Sequence, residues 1–187
     1  LGYMEEGTTV PQFDEAELDA LSHKIGTRPV WFAANIAAGE ISDVIRAHKA
    51  ALRRAHRLLL IVSTQDSKMA SLIETHCMDQ GLKAMSRPKS ADVSEVVQVL
   101  VVKAGDEDGL WYRLSPVSFL GQSITNGGGT DPYPAAVFGS AILHGPNVSN
   151  YDNGYRRFRA ENATRVVKCG NSLGDAINEI LAPDVAA

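Results

Sequence analysis

Three stretches of this chain are apolar without the alternation of a half-buried strand: residues 29–35 (PVWFAAN), 58–62 (LLLIV) and 96–102 (VVQVLVV). A strand of that composition must be covered on both faces, and the common arrangement that does this is a parallel sheet with helices crossing over each side. What lies between them agrees. Over residues 39–57, Ile41, Val44, Ile45, His48, Leu52 and Ala55 fall at helical spacing, while Arg46, Lys49, Arg53 and Arg57 share another face. A second helix is expected over 67–80, stopped by Gly81, followed by a short strand over 82–85. Beyond the run at 96–102 come a helical turn over 109–114, a strand over 117–120 and a strand over 141–143. A helix over 151–161, a strand over 164–167 and a closing helix over 172–181 complete the pattern. Strands alternating with helices predict an α/β fold, a three-layer doubly wound parallel sheet with right-handed crossovers. Residues 1–27, with a helix over 14–24 capped by Asp14, read as a linker and N-terminal helix ahead of a single domain over 28–187.

A chain of 187 residues can bury a real core, roughly 70% of the surface that it exposes when unfolded. Hydrophobic content of 44% with 21% charged residues is ordinary globular composition. No apolar run approaches the roughly eighteen residues of a membrane-spanning helix, so no transmembrane segment is expected in this chain. A net charge of -4 disfavours a nucleic-acid-binding role. The two cysteines, Cys77 and Cys169, have no metal-ligand spacing and are too few for a disulfide framework, which points to a reducing, cytoplasmic compartment. The first residues lack the basic and apolar regions of a signal peptide, and a start at Leu1 in an acidic segment reads as a piece of something longer. With no nucleophile elbow, Walker loop or Cys/His cluster in view, neither a metal nor a cofactor is expected.

Ligands of doubly wound sheets bind beyond the carboxyl ends of the strands. That selects residues 35–40, 63–68, 103–108, 121–131 and 145–151. The richest stretch is 119–146, FLGQSITNGGGTDPYPAAVFGSAILHGP. Backbone N–H groups of Gly128 and Gly129, the hydroxyls of Ser123 and Thr130 and the following helix end could cradle a phosphate without a metal. A loop that only turns the chain is the alternative. Asp131 would repel a phosphate unless it turned to a ribose hydroxyl as acceptor. His48 lies on the apolar stripe of its helix, which reads as a hydrogen-bonded core histidine. The basic face around Arg46 reads as a solvated helix surface.

The order of segments resembles the C-terminal half of the 3-deoxy-D-manno-octulosonic acid (Kdo) transferases. RPVWFAANIAAGE from Arg28 is similar to a family pattern RPVWIAAST followed by GE, and Ala47-His48-Lys49 to its AHK. Gly109-Leu110-Trp111-Tyr112 looks like the segment after the family's MGE triplet. Residues 119–136 are similar to FVGGSLV…GGHNPLEPAA, and 142–151 (ILHGPNVSNY) to VLFGP…NF. The resemblance implies a Rossmann-like half of a GT-B glycosyltransferase acting in lipid A and lipopolysaccharide biosynthesis. That half would bind CMP-Kdo or a related nucleotide sugar. The acceptor, a lipid A precursor, and the general-base carboxylate would belong to an N-terminal domain absent here. It follows that this chain alone would not complete transfer, and that the whole protein would sit in the cytoplasm, peripheral to the inner membrane.

Carried over position by position, the resemblance implies donor contacts at Ser63, Thr64, Gly105, Asp106, Glu107, Ser123, Gly128, Gly129, Thr130, Asp131, Pro132, Tyr133 and Asn150. Several of these depart from the pattern. Ser63-Thr64 stands where the family carries Pro-Arg, with its arginine on the donor phosphate. Gly105-Asp106-Glu107 stands for Met-Gly-Glu. Asp131-Pro132-Tyr133 is one residue short of Asn-Pro-Leu-Glu, and the glutamate has no clear counterpart. Asp131 and Glu107 read either as ribose or base contacts or as solvated loop carboxylates. Tyr155, Arg156, Arg157 and Arg159 form a basic cluster that reads as a surface helix or as a replacement for the lost arginine. A diverged non-catalytic paralogue with the same fold, or a domain using another nucleotide sugar, is the alternative.

Overall fold

A computed structural model of the chain describes residues 10–87, 93–105 and 107–182; Asp106 and the first part of the linker lie outside them. Seven strands form one parallel sheet: β1 (Val30–Ala34), β2 (Leu59–Thr64), β3 (Ala84–Ser86), β4 (Val99–Lys103), β5 (Val117–Leu120), β6 (Ala141–His144) and β7 (Thr164–Val166). Their order is β3-β4-β2-β1-β5-β6-β7. The helices are α1 (Glu15–Ile25), α2 (Ile41–Leu52), α3 (Ser67–Asp79), α4 (Asp108–Leu114), α5 (Tyr133–Val137), α6 (Asp152–Ala160) and α7 (Gly170–Leu181).

Two apolar clusters lie on opposite faces of the sheet, as uninterrupted apolar strands require. Trp31, Ala33, Leu60, Val62, Val101 and Phe119 face α2, α3 and α7. Phe32, Ala34, Leu59, Ile61, Val102 and Leu120 face α1, α4, α5 and α6. The three-layer α/β sheet read from the sequence is therefore the fold. Helix α1 is part of it, since Leu21 and Ile25 are buried in the second cluster and Asp14 caps the helix through the Ala16 N–H at 2.8 Å.

Several boundaries differ from those expected. The apolar run at 96–102 becomes strand only from Val99, because the Val97 N–H turns back to the Ser94 carbonyl at 3.1 Å and leaves Val96 exposed. The helix expected over 39–57 opens with a 3₁₀ turn, Ala38–Glu40, and ends at Leu52. His48 is fully buried, and its Nδ1 accepts from the Trp31 indole N–H at 3.1 Å.

The chain leaves β1 for β2, crosses to the edge at β3 and comes back to place β4 between β3 and β2, then builds the other side from β5. The direction of building reverses between β1 and β5, which makes that gap the topological switch point of the sheet.

Candidate functional site

Both loops at the switch point begin in strained backbone. Asn35, just after β1, has φ 52°, and Gln122, two residues after β5, has φ 60°, left-handed conformations that cost a non-glycine residue energy unless its surroundings hold it. Asn35 is held from two sides. Its N–H donates to the Ser63 hydroxyl at 2.8 Å, and its side-chain oxygen accepts from the Gln65 amide at 2.6 Å. Loops from β1, β2 and β5 are thus tied together, with Asn35 also 3.4 Å from the Thr130 hydroxyl.

The second loop is held by a residue that sequence reading did not single out. Glu40 is completely buried at the end of the 3₁₀ turn. One carboxylate oxygen accepts from the N–H groups of Ser123 at 2.9 Å and Ile124 at 2.8 Å. The other accepts from Gln122 at 2.8 Å and from Ala37 at 2.9 Å. Successive N–H groups converging on one point form a nest for an anion, and here the anion is the protein's own carboxylate. Its signal in the sequence was the Gly39-Glu40 pair after the first strand, visible as part of a pattern but not as a contact.

The Gly-rich loop is equally cross-tied. The Ser123 hydroxyl donates to the Leu120 carbonyl at 2.5 Å and accepts from the Gly145 N–H at 2.8 Å. Gly129 donates its N–H to the Gln122 carbonyl at 2.8 Å, and the Thr130 hydroxyl donates to the Gly121 carbonyl at 2.9 Å. Asn150 donates its N–H to the Gly128 carbonyl at 3.0 Å, and the Tyr155 hydroxyl donates to the Thr130 carbonyl at 2.6 Å. Gly128 and Gly129 are both buried with φ of 85° and 89°, and a Cβ on Gly128 would lie 2.3 Å from the Asn150 side chain. These glycines are required by backbone shape. Many of the polar groups expected at a phosphate are therefore already partnered within the fold.

Four of the sequence-selected residues, Thr64, Gly128, Tyr133 and Asn150, line crevices along the carboxyl edge. One of about 470 Å³ is bordered by Thr64 at the end of β2 with Gln65, Asp66 and Ser67 beyond it, by Val102 and Lys103 at the end of β4, and by Ser86 at the end of β3 with Arg87 beyond it. Gly105 and Glu107 lie just beyond it in the chain, both exposed, with Glu107 3.8 Å from the Arg87 guanidinium. Ser63 is buried beside this crevice, its hydroxyl held by Asn35. A second crevice, about 340 Å³, is bordered by Asn126, Gly128, residues 146–149, Asp152 and Arg159. It adjoins a third of about 190 Å³ bordered by Tyr133, Asn150 and Tyr151. Asp131 accepts from the Tyr133 N–H at 3.0 Å, which starts the short helix α5, and Pro132 is buried beneath it.

The basic cluster of α6 is divided. Arg156 pairs with Asp152 at 2.5 Å on the exposed side of the helix, whereas Arg159 reaches the second crevice, 3.9 Å from Asp152. His144, the last residue of β6, is buried against Tyr155, ring centroids 4.4 Å apart, and its Nδ1 donates to the Gly145 carbonyl at 2.6 Å. Burial lowers the His144 pKa, with the neighbouring Arg159 charge adding to the effect and the bond to the Gly145 carbonyl opposing it.

No protein-family model matches the chain. A 3-deoxy-D-manno-octulosonic acid transferase of Haemophilus influenzae is 23% identical over 97% of the chain, which spans 45% of that relative's length. The crystal structure of the C-terminal CMP-Kdo binding domain of WaaA from Acinetobacter baumannii superposes with a TM-score of 0.83 at 24% identity, over 89% of this chain and 88% of that one. An α,α-trehalose 6-phosphate synthase of Burkholderia multivorans has the same fold at a TM-score of 0.62 and 12% identity, over 90% of this chain and 38% of that one. In sequence along nearly its whole length, and in fold, the chain is similar to the Kdo transferases, and the part of them it matches is the C-terminal domain.

Proposed function

We propose that the chain is the donor-binding half of a Kdo transferase-like glycosyltransferase, holding CMP-Kdo in the crevices along the carboxyl edge of its sheet. The observation that carries this reading is the coincidence of two independent features. The sequence likeness to Kdo transferases runs through 97% of the chain, and the loops holding its best-matched motifs meet around the β1/β5 switch point, where this fold class binds ligands. The donor residues are those named from the sequence: Ser63, Thr64, Gly105, Asp106 and Glu107 on one side, and Ser123, Gly128, Gly129, Thr130, Asp131, Pro132, Tyr133 and Asn150 on the other. Ser123, Gly129 and Thr130 act through the shape of the loop, because their polar groups are engaged within it.

In inverting transfer an acceptor hydroxyl attacks the anomeric carbon while the nucleotide leaves from the opposite face, so a base is needed on one side and stabilisation of the leaving group on the other. This half supplies the second. The lipid A precursor and the base belong to the other half of the enzyme, at the cytoplasmic surface of the inner membrane. No helix among the described residues is long and apolar enough to cross a membrane.

A second reading, a diverged domain that keeps the fold without the donor, is favoured by Ser63-Thr64 in place of Pro-Arg and by the missing glutamate. Calorimetric titration with CMP separates the two. The donor reading expects saturable heat, lost in Gly128→Val, where a side chain at φ 85° would push Asn150 out of the crevice rim. No heat at millimolar CMP from a folded domain supports the diverged reading, and saturation by another nucleotide identifies a different donor.

A further inference from the structure

We propose that Lys103 is the cation that receives the phosphate of the bound nucleotide, in the crevice between the ends of β2 and β4; this rests on the nucleotide-sugar reading. The first ground is the state of the Gly-rich loop. Its N–H groups at Gln122, Ser123 and Ile124 already converge on the Glu40 carboxylate. A second anion at that nest would face a buried like charge, which turns the search for a phosphate partner to the cationic side chains along the edge.

Among the described residues, the cations that border the crevices named above are Arg87, Lys103 and Arg159. Arg87 is committed elsewhere. Its guanidinium pairs with Glu17, lies 3.8 Å from Glu107 and stacks 4.9 Å from the Trp111 ring centre. Arg159 is shared between Asp152 at 3.9 Å and the Tyr155 carbonyl at 3.3 Å. Lys103 makes no ion pair among the described residues.

Its position is fixed by the sheet. Lys103 is the exposed last residue of β4, in register with Thr64 at the end of β2, and the Ala104 N–H donates to the Thr64 carbonyl at 2.9 Å. Register partners in a parallel ladder project on the same face, and Lys103, Thr64 and Ser67 border one crevice, where Thr64 is buried with its hydroxyl 3.4 Å from the Asp66 carbonyl and Lys103 is exposed. Asp66 also borders it, with its carboxylate turned onto the Met69 N–H at 2.8 Å to cap α3. The crevice, about 470 Å³, has the volume of a small-ligand pocket, roughly 300–1,000 Å³. A lysine there is a point charge on a flexible stem, suited to a single phosphate.

The test compares CMP with cytidine by calorimetric titration of the wild-type chain and of Lys103→Gln, Lys103→Arg and Arg159→Gln. Lys103 is exposed at a strand end, so its substitutions leave the core intact. Lys103→Gln is expected to lose roughly tenfold or more in CMP affinity, as for one charge-assisted hydrogen bond, with cytidine affinity unchanged. Lys103→Arg keeps most of the preference for CMP, and Arg159→Gln keeps all of it. A wild-type preference for CMP that survives in Lys103→Gln, or that disappears in Arg159→Gln instead, overturns the assignment and leaves the nucleotide reading standing. A wild-type chain that binds no nucleotide overturns both.

Discussion

Glu40 is the residue on which the candidate site depends most, and it acts from beneath the loop rather than at the ligand. A buried carboxylate costs energy unless its lone pairs are filled, and here both oxygens are, by N–H groups from Ala37, Gln122, Ser123 and Ile124. Glu40→Gln removes the charge and turns an amide N–H₂ towards N–H donors. The variant is expected to lose about 3 kcal/mol of stability, measured from urea unfolding; a loss below about 1 kcal/mol would mean that the loop holds itself. His48 is a contrasting buried group. Burial lowers its pKa from 6.5 to about 3, so the native state holds it neutral while the unfolded chain protonates it. The stability it contributes is present above pH 6.5 and is lost as pH falls towards 3. His144 shifts in the same direction. His48→Gln, which keeps an acceptor for the Trp31 indole, is expected to flatten the pH dependence of stability between pH 6 and 4. An unchanged slope would place the acid sensitivity elsewhere.

Among the elements, the pairing of α7 with α2 shows how a small residue sets a helix position. The Gly170 N–H at the start of α7 donates to the Asp43 side chain at 2.8 Å, and a Cβ on Gly170 would lie 2.6 Å from the Asp43 carbonyl oxygen. The second contact places the helix end directly against the backbone of α2. Gly170→Ala is therefore expected to destabilise by about 2 kcal/mol, because overpacking against backbone exceeds the gain in helix propensity; thermal unfolding of the variant checks this, and an unchanged or raised midpoint would show that the helices slide apart freely. The elements themselves were largely legible in the chain. Apolar runs without alternation marked β1, β2 and β4, and the 3.6-residue spacing from Ile41 marked α2. What misled was the length of an apolar run. Val96 and Val97 look like strand, but the carbonyl of Ser94 draws the backbone into a turn before the ladder begins. The five-residue helix α5 was not delimited in the sequence, since a Pro- and Ala-containing stretch of that length has no periodicity to read.

At the scale of the whole molecule, a parallel sheet with two buried faces leaves only its edges and strand ends for function, and the chain concentrates its polar loops at one of those ends. The sequence by itself determined the α/β class, the parallel sheet, the likeness to Kdo transferase C-terminal domains and the loops to inspect. Each depends on residue type and spacing along the chain, which are local quantities. Only the tertiary structure decided that Glu40 fills the nest of the Gly-rich loop, that Ser123 ties β5 to β6, and that Lys103 stands beside Thr64. These partners are separated by 83, 22 and 39 positions. A hydrogen bond or a shared crevice depends on which groups the sheet order brings together, and no periodicity of one segment contains the register of another.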